Sequence, residues 1–278
     1  MSKLIVVNKE KGYTSRDVVN KLNHIFNTKR IGHTGTLDPM ATGVLVCLVG
    51  KYTKLVDLVT SYDKEYIATI KLGIKTDTLD TTGIIIERSS YNITKEDIEG
   101  VFKSFIGDYE MTVPKYSAVK INGKKLYEYA RSGEEIDLPI RNVEIYELVL
   151  LDYHDDIIKF RTKVSKGTYI RSLIDDICTK LNTLGAMDSL VRTKQGNFCI
   201  DDSYTLDDIE NNNYKALTIK DFLDCEVVNI DDNLYKKIFN GVSIKNTYTS
   251  DLVLFMYNNQ EVAIYKKEDL ELKPYVML

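Results

Sequence analysis

The chain has 278 residues, 44% of them hydrophobic and 28% charged, with a formal net charge of −4. That composition excludes a disordered chain and fits one large domain, or one large and one small. Four scattered cysteines, Cys47, Cys178, Cys199 and Cys225, exclude a disulfide framework and a CxxC-type zinc site, and no apolar run approaches the roughly 20 residues of a membrane span.

The N-terminal stretch "MSKLIVVNKEKG" holds only a short apolar run, "LIVV", too brief for a secretory signal, so a cytoplasmic location is expected. That run reads as a buried strand. "TSRDVVNKLNHIF" reads as a helix, with Thr14 and Asp17 at capping-box spacing and Val18, Val19, Leu22, Ile25 and Phe26 on one face. A glycine-rich loop follows, and "GVLVCLV" then predicts a second buried strand. "EYIATIKLG" alternates, with Tyr66, Ala68, Ile70 and Leu72 on one side. "TKEDIEGVFKSFIG" predicts a helix capped by Thr94 and Asp97, and "VEIYELVLLDY" a long strand. In "IIKFRTKV", Ile158, Phe160, Thr162 and Val164 would face the core, leaving Lys159, Arg161 and Lys163 as a basic stripe. "YIRSLIDDICTKL" predicts a helix with Ile170, Leu173, Ile174, Ile177 and Leu181 inward. Strands and helices mix without strict βαβ alternation, which predicts an α/β (α+β) fold with a mixed, largely antiparallel sheet flanked by helices. Past about residue 222, "EVVNI", "LVLFMY" and "EVAIYKK" predict a small β-rich C-terminal domain. The expected division is therefore 1–222 and 223–278.

Charge is unevenly distributed. Residues 1–30 carry seven Lys/Arg against two carboxylates, and residues 201–278 carry eight Lys against fifteen carboxylates. An anionic partner near the N-terminal part would explain this, and so would simple scatter.

The densest cluster of unusual residues is "KRIGHTGTLDPMATGVLVCLVG", residues 29–50. It joins Gly32, Gly35 and Gly43 to a histidine and an Asp38-Pro39 pair, in a chain with only three histidines and four prolines. It is not a phosphate-cradling P-loop or dinucleotide motif, because neither GxxxxGK[ST] nor a strand-linked GxGxxG is present. It is a poor metal site, since one Asp and one His have no further ligands nearby. "TDTLDTTG" at 76–83 lacks the closing glutamate of a calcium loop and reads as a turn. Pro39 drives Asp38 out of the helical region, and the glycines admit a close ligand. Loop physics alone slightly favours Asp38 as a plain turn cap. Arg171, likewise, reads first as a helix-surface arginine pairing with Asp175 one turn on.

The loop also resembles a known family. "GHTGTLDPMATGVL" is similar to the catalytic motif of the TruB-type tRNA pseudouridine-55 synthases. Five further stretches match that family in order: "NKEKGYTS", "KEYIATIKLGIKTDTLDTTG", "VPKYSAVKINGKKLYEYARSG", "VSKGTYIRSLIDDI" and "LVRTKQGNF". Together they span roughly residues 3 to 200. Glu10 stands where the family usually has proline, Val191 where a second arginine is common, and Lys115 adds a charge beside Pro114. The C-terminal segment is shorter than a full PUA domain and reads as a shortened, PUA-like one.

The resemblance implies an isomerase that converts uridine 55 in the T loop of tRNA to pseudouridine. It implies tRNA as partner, no cofactor and no metal, and a monomer is expected. By residue it implies Asp38 as the catalytic carboxylate, Arg171 as its partner, and Tyr66 as the ring that stacks on a flipped base. His33 would enter the RNA loop, Lys9 would support the site, and Ile170 and Leu190 would wall the pocket. An insertion at about 112–142 would grip the RNA through Lys120, Lys124, Lys125 and Arg131, interleaved with Tyr127 and Tyr129; without the resemblance these read as a solvated helix face. An RNA-binding or tRNA-folding module with dispensable catalysis is the alternative. It would keep the basic face but would not need Asp38, Tyr66 and Arg171. Acid–base hydrolysis, a third reading, lacks a second carboxylate in the motif.

Overall fold

The computed structural model describes residues 2–278. Strands β1 (Lys3–Lys9) and β3 (Thr42–Val49) pair antiparallel, with helix α1 (Ser15–Ile25) and the short strand β2 (Ile31–His33) between them in sequence. Both β1 and β3 read as unbroken apolar runs because both of their faces are covered. Ile5, Val7 and Leu45 pack under α1, while Leu4, Val6, Val44 and Val46 pack on the opposite side. Thr14 caps α1 as expected: its hydroxyl accepts from Asp17 N–H, and its own N–H is bound by the Asp17 carboxylate.

After helix α2 (Val56–Thr60), strand β4 (Lys64–Leu72) buries Tyr66, Ala68, Ile70 and Leu72 on one side, as its alternation predicts. A hairpin of β5 (Ile74–Thr76) and β6 (Ile85–Arg88) leads to helix α3 (Lys95–Lys103) and strand β7 (Gly107–Thr112). The chain then leaves the sheet as a small hairpin, β8 (Lys120–Ile121) with β9 (Lys124–Lys125), and helix α4 (Leu126–Ser132). It returns through the long strands β10 (Ile140–His154) and β11 (Ile157–Val164), helix α5 (Ile170–Lys180), and strands β12 (Gly185–Gln195) and β13 (Phe198–Cys199).

The main sheet runs β1-β3-β12-β4-β11-β10-β7. Only the β3–β12 contact along this path is parallel, so the expected mixed, largely antiparallel sheet is what forms. Helices α3 and α5 cover the face that carries Ile70, Phe160 and Ile158. Helices α6 (Leu206–Glu210) and α7 (Ile219–Phe222) lead to a second sheet, of β14 (Glu226–Asn229), β15 (Ile244–Lys245), β16 (Leu252–Tyr257), β17 (Gln260–Glu268) and β18 (Glu271–Met277), with α8 (Asp232–Phe239) against it. Leu254, Met256 and Ile264 of this sheet share one core with Leu4, Val46 and Leu48, so the C-terminal sheet docks on the face of β1 and β3 that α1 leaves open.

The meeting of β3 with β12 depends on Gly43. Its φ is 98°, and a Cβ there would stand 2.3 Å from the Arg192 carbonyl oxygen. Gly43→Ala is therefore expected to destabilise the fold by at least about 2 kcal/mol, since left-handed backbone alone costs roughly 1–2 kcal/mol and the collision is with backbone, which cannot rotate away. Urea unfolding measures this; a variant as stable as the parent would show that the two strands can part here.

Candidate active site

The loop after β2 is fixed from every side before any side chain of interest is placed. Thr34 N–H donates to Val46 O, Leu37 N–H donates to the Ser15 hydroxyl at 2.9 Å, and Gly12 N–H donates to Pro39 O at 2.8 Å. Buried Gln195 donates to the Thr34 hydroxyl at 2.7 Å. Ala41 N–H donates to the main-chain carbonyl of Asp38 at 3.0 Å, so the turn is closed by backbone. The Asp38 side chain is thereby released from the turn-cap role that loop physics favours.

Instead it meets Arg171, at the start of α5. Arg171 Nε lies 2.9 Å from Asp38 Oδ2 and Nη2 donates to Oδ1 at 3.1 Å, a two-point contact. Nη2 also donates to Tyr116 O at 2.9 Å, and Nη1 to Thr78 O at 3.0 Å. One buried guanidinium thus ties together the Asp38 loop, the β5–β6 turn and the excursion between β7 and β10. The Arg171–Asp175 pairing read from spacing does not form; Asp175 binds Lys75 at 3.0 Å. The Arg171 side chain is 6% exposed and that of Asp38 30%, so the carboxylate is the member that a ligand can reach.

Asp38 and Arg171 open on a cleft of about 500 Å3 whose wall includes Tyr66, Ile170 and Leu190. The three line it for a geometric reason: Tyr66 and Leu190 are on the inward side of adjacent strands β4 and β12, and Ile170 begins α5. The Tyr66 hydroxyl finds no partner among the described residues, and Tyr66 belongs both to the core and to the cleft wall. The only carboxylate in the wall is Asp38, against Lys64, Lys166, Arg171 and Arg192. A neighbouring cavity of about 540 Å3, sharing Tyr116, has the opposite character: Asp77, Glu134, Glu135, Asp175 and Asp176 face only Lys75 and Lys115. A polyanion is drawn to the first and repelled by the second.

Two expected binding residues sit elsewhere. Lys9 does not face the cleft, so the support expected of it is not a contact with substrate. It is completely buried, and its ammonium donates to the carbonyls of Tyr13 at 2.6 Å, Glu10 at 3.1 Å and Pro39 at 3.4 Å. Burial lowers its pKa to about 8, against the opposing pull of Asp38. Its role is to brace the loop at Pro39, and this tether holds the segment despite Glu10. His33 ends β2 beside the cleft rather than in its wall. Its Nδ1 accepts from Gly35 N–H at 3.3 Å, and burial, with Arg192 and Arg16 nearby, lowers its pKa below the ordinary 6.5. The imidazole is therefore neutral at pH 7, with its proton on Nε2.

Lys120, Lys124, Lys125 and Arg131 all lie on the excursion between β7 and β10, outside the cleft wall. Their aromatic interleaving is real: Lys124 lies 4.4 Å from the Tyr129 ring centre, and Arg131 lies 5.5 Å from that of Tyr127. Lys124, however, also pairs with Glu134 and holds that carboxyl below its usual range. The face is less positive than its lysines suggest.

Reading the sequence missed Arg192, Tyr116, Thr78 and Ser117. Arg192 was signalled by parity, since it lies two residues after Leu190 on a strand and must share its inward side. The carbonyl roles of Tyr116 and Thr78 carry no side-chain signal at all.

Residues 23–170 match the family model described as TruB family pseudouridylate synthase (N terminal domain). The chain is 41% identical to tRNA pseudouridine synthase B of Caldanaerobacter subterraneus subsp. tengcongensis, over 92% of this chain and 91% of that one. It is 39% identical to the protein of the same name from Bacillus cytotoxicus, over 100% and 97%, and 40% identical to that from Mesoplasma florum, over 96% and 94%. Among solved structures, a Cbf5–Nop10–Gar1 complex matches with a TM-score of 0.72 at 24% identity, over 99% of this chain and 84% of that one, a likeness of fold.

Proposed function

The chain belongs to the TruB family of pseudouridylate synthases, and from that membership and the cleft we propose that it converts uridine 55 in the T loop of tRNA to pseudouridine. The observation that carries the reading is the two-point Arg171–Asp38 contact at a cleft walled by Tyr66. A module that only bound RNA would need neither a single carboxylate held in one orientation nor an enclosed cleft around it.

The net reaction is an isomerisation. The N1–C1′ bond breaks, C5–C1′ forms, C5 gives up its hydrogen and N1 gains one, so the atoms balance without a co-reactant. The base must leave its stack to reach Asp38, and the Tyr66 ring offsets the lost stacking by about 1–3 kcal/mol. Ile170 and Leu190, both buried in the apolar wall beside Tyr66, keep water from the reacting carbons. Arg171 keeps Asp38 aimed while the base turns. The neutral ring of His33, at the mouth, can fill the gap the base leaves without desolvating a charge. The reading carries with it a cytoplasmic location and action as a monomer; among the described residues no helix is long and apolar enough to cross a membrane.

The position is tested by a transcript in which cytidine replaces uridine 55. It should yield no product; pseudouridine at another uridine of that transcript would refute the assigned site.

The excursion with Lys120, Lys124 and Lys125 is proposed as the clamp on the T arm. Replacing all three by glutamine is expected to weaken tRNA binding and flatten its salt dependence. Because Lys124 is already paired with Glu134, the log–log slope should fall by about two contacts' worth, at roughly 0.7–0.9 each. An unchanged slope would place the clamp on other residues.

A further inference from the structure

Arg192 is 1% exposed, yet among the described residues no carboxylate pairs with it. Its Nε donates to Val44 O at 2.6 Å and its Nη2 to Gly35 O at 3.1 Å. Among the described residues its Nη1 makes no hydrogen bond, and it is not sealed from the cleft that Arg192 helps to line. A guanidinium keeps its charge at any working pH, and a buried charge with a free donor is costly unless an anion completes it.

The other cleft cations are paired, tied to carbonyls or exposed. Arg171 and Asp38 satisfy each other, and the Lys64 ammonium donates to the carbonyls of Thr60 and Tyr62. Lys166 is exposed at the rim. Arg192 is thus the inner cation with a whole nitrogen to spare, fixed in direction by two carbonyls. Access to it is kept open by Gly35, where φ is 148° and an added Cβ would stand 3.4 Å from Nη1. Arg192 is also the direct cross-strand partner of Tyr66, so the two side chains stand together on one side of the sheet. A nucleotide whose base lies on Tyr66 has its backbone within reach of Arg192.

We infer that Arg192 forms a phosphate subsite inside the cleft: Nη1 binds one of the two phosphates flanking the nucleotide whose base rests on Tyr66. The inference depends on the reading that a tRNA uridine enters this cleft, and its test is arranged to fail separately from that reading.

T-arm stem-loop RNAs are made with a single neutral methylphosphonate 5′ or 3′ of the target uridine, or at control positions in the stem. Binding and pseudouridine yield are measured for the parent, Arg192→Gln and Arg192→Lys, with folding checked by thermal unfolding. The parent should lose about tenfold in affinity at one flanking position and under twofold at the stem controls. Arg192→Gln should bind the unmodified RNA less well and show no further loss at that same position, the non-additivity expected of direct partners. Arg192→Lys, which keeps a buried cation but no Nη1, serves the same comparison if the glutamine variant does not fold. A parent indifferent to both flanking substitutions would overturn the inference, as would variants that still lose the full tenfold. A parent that binds with the predicted position dependence but makes no pseudouridine would instead refute the proposed function and leave the subsite standing.

Discussion

Asp38→Asn is expected to abolish pseudouridine formation while changing tRNA affinity by less than tenfold, or about 1.4 kcal/mol. The amide keeps the shape of the carboxylate but can act neither as nucleophile nor as base. On the proposed reading most of the RNA contact would fall elsewhere, on the excursion between β7 and β10 and the apolar cleft wall, so affinity should survive. Folding should survive too. Arg171 loses its counter-charge but keeps the carbonyls of Thr78 and Tyr116, and the Asp38 turn is closed by Ala41 N–H rather than by the side chain. The measurement is a single-turnover reaction at saturating tRNA. Product formed at any measurable rate by a fully substituted preparation would remove Asp38 from the chemistry.

Arg171→Lys should reduce the single-turnover rate on the order of a hundredfold, the usual penalty for misplacing a reacting group by about 1 Å, with little change in affinity. Lysine restores a charge near Asp38 but offers a point donor where the parent has two nitrogens in one plane. Its three donors, all on one nitrogen, also cannot reproduce the four contacts of the guanidinium, so the shared anchor of the β5–β6 turn and the basic excursion is weakened. Arg171→Ala should be slower still, since the carboxylate then has no cation in contact. A lysine variant as fast as the parent would show that charge alone suffices and that the two-point contact is dispensable.

The local features were legible because local physics decides them. Thr14 and Asp17 announce a helix start by their spacing, and β4 announces its buried side by alternation. The C-terminal sheet was read in three strands and has five. β15 is only two residues long, and β18 carries Pro274, which ordinarily argues against a strand. Pro274 is accommodated at a register shift in the pairing with β17. At the site, spacing misled where the decisive contact was remote. Arg171 and Asp175 are one helical turn apart, yet Arg171 binds Asp38 across 133 positions of sequence while Asp175 goes to Lys75. Asp38 looked like a turn cap because nothing in the loop shows that Ala41 N–H closes the turn alone. Its partner came from family resemblance rather than from periodicity. How Lys9 supports the site was not legible, because the three carbonyls that take it inside converge only in the folded chain.

The most direct measurement is base-resolved mapping of pseudouridine in an unmodified tRNA transcript after incubation with the folded chain. One pseudouridine per transcript is expected, at position 55, appearing with the parent and absent with Asp38→Asn. A parent that binds the transcript at saturating concentration and leaves every uridine unchanged would contradict the assignment of the Asp38 cleft as an isomerase centre.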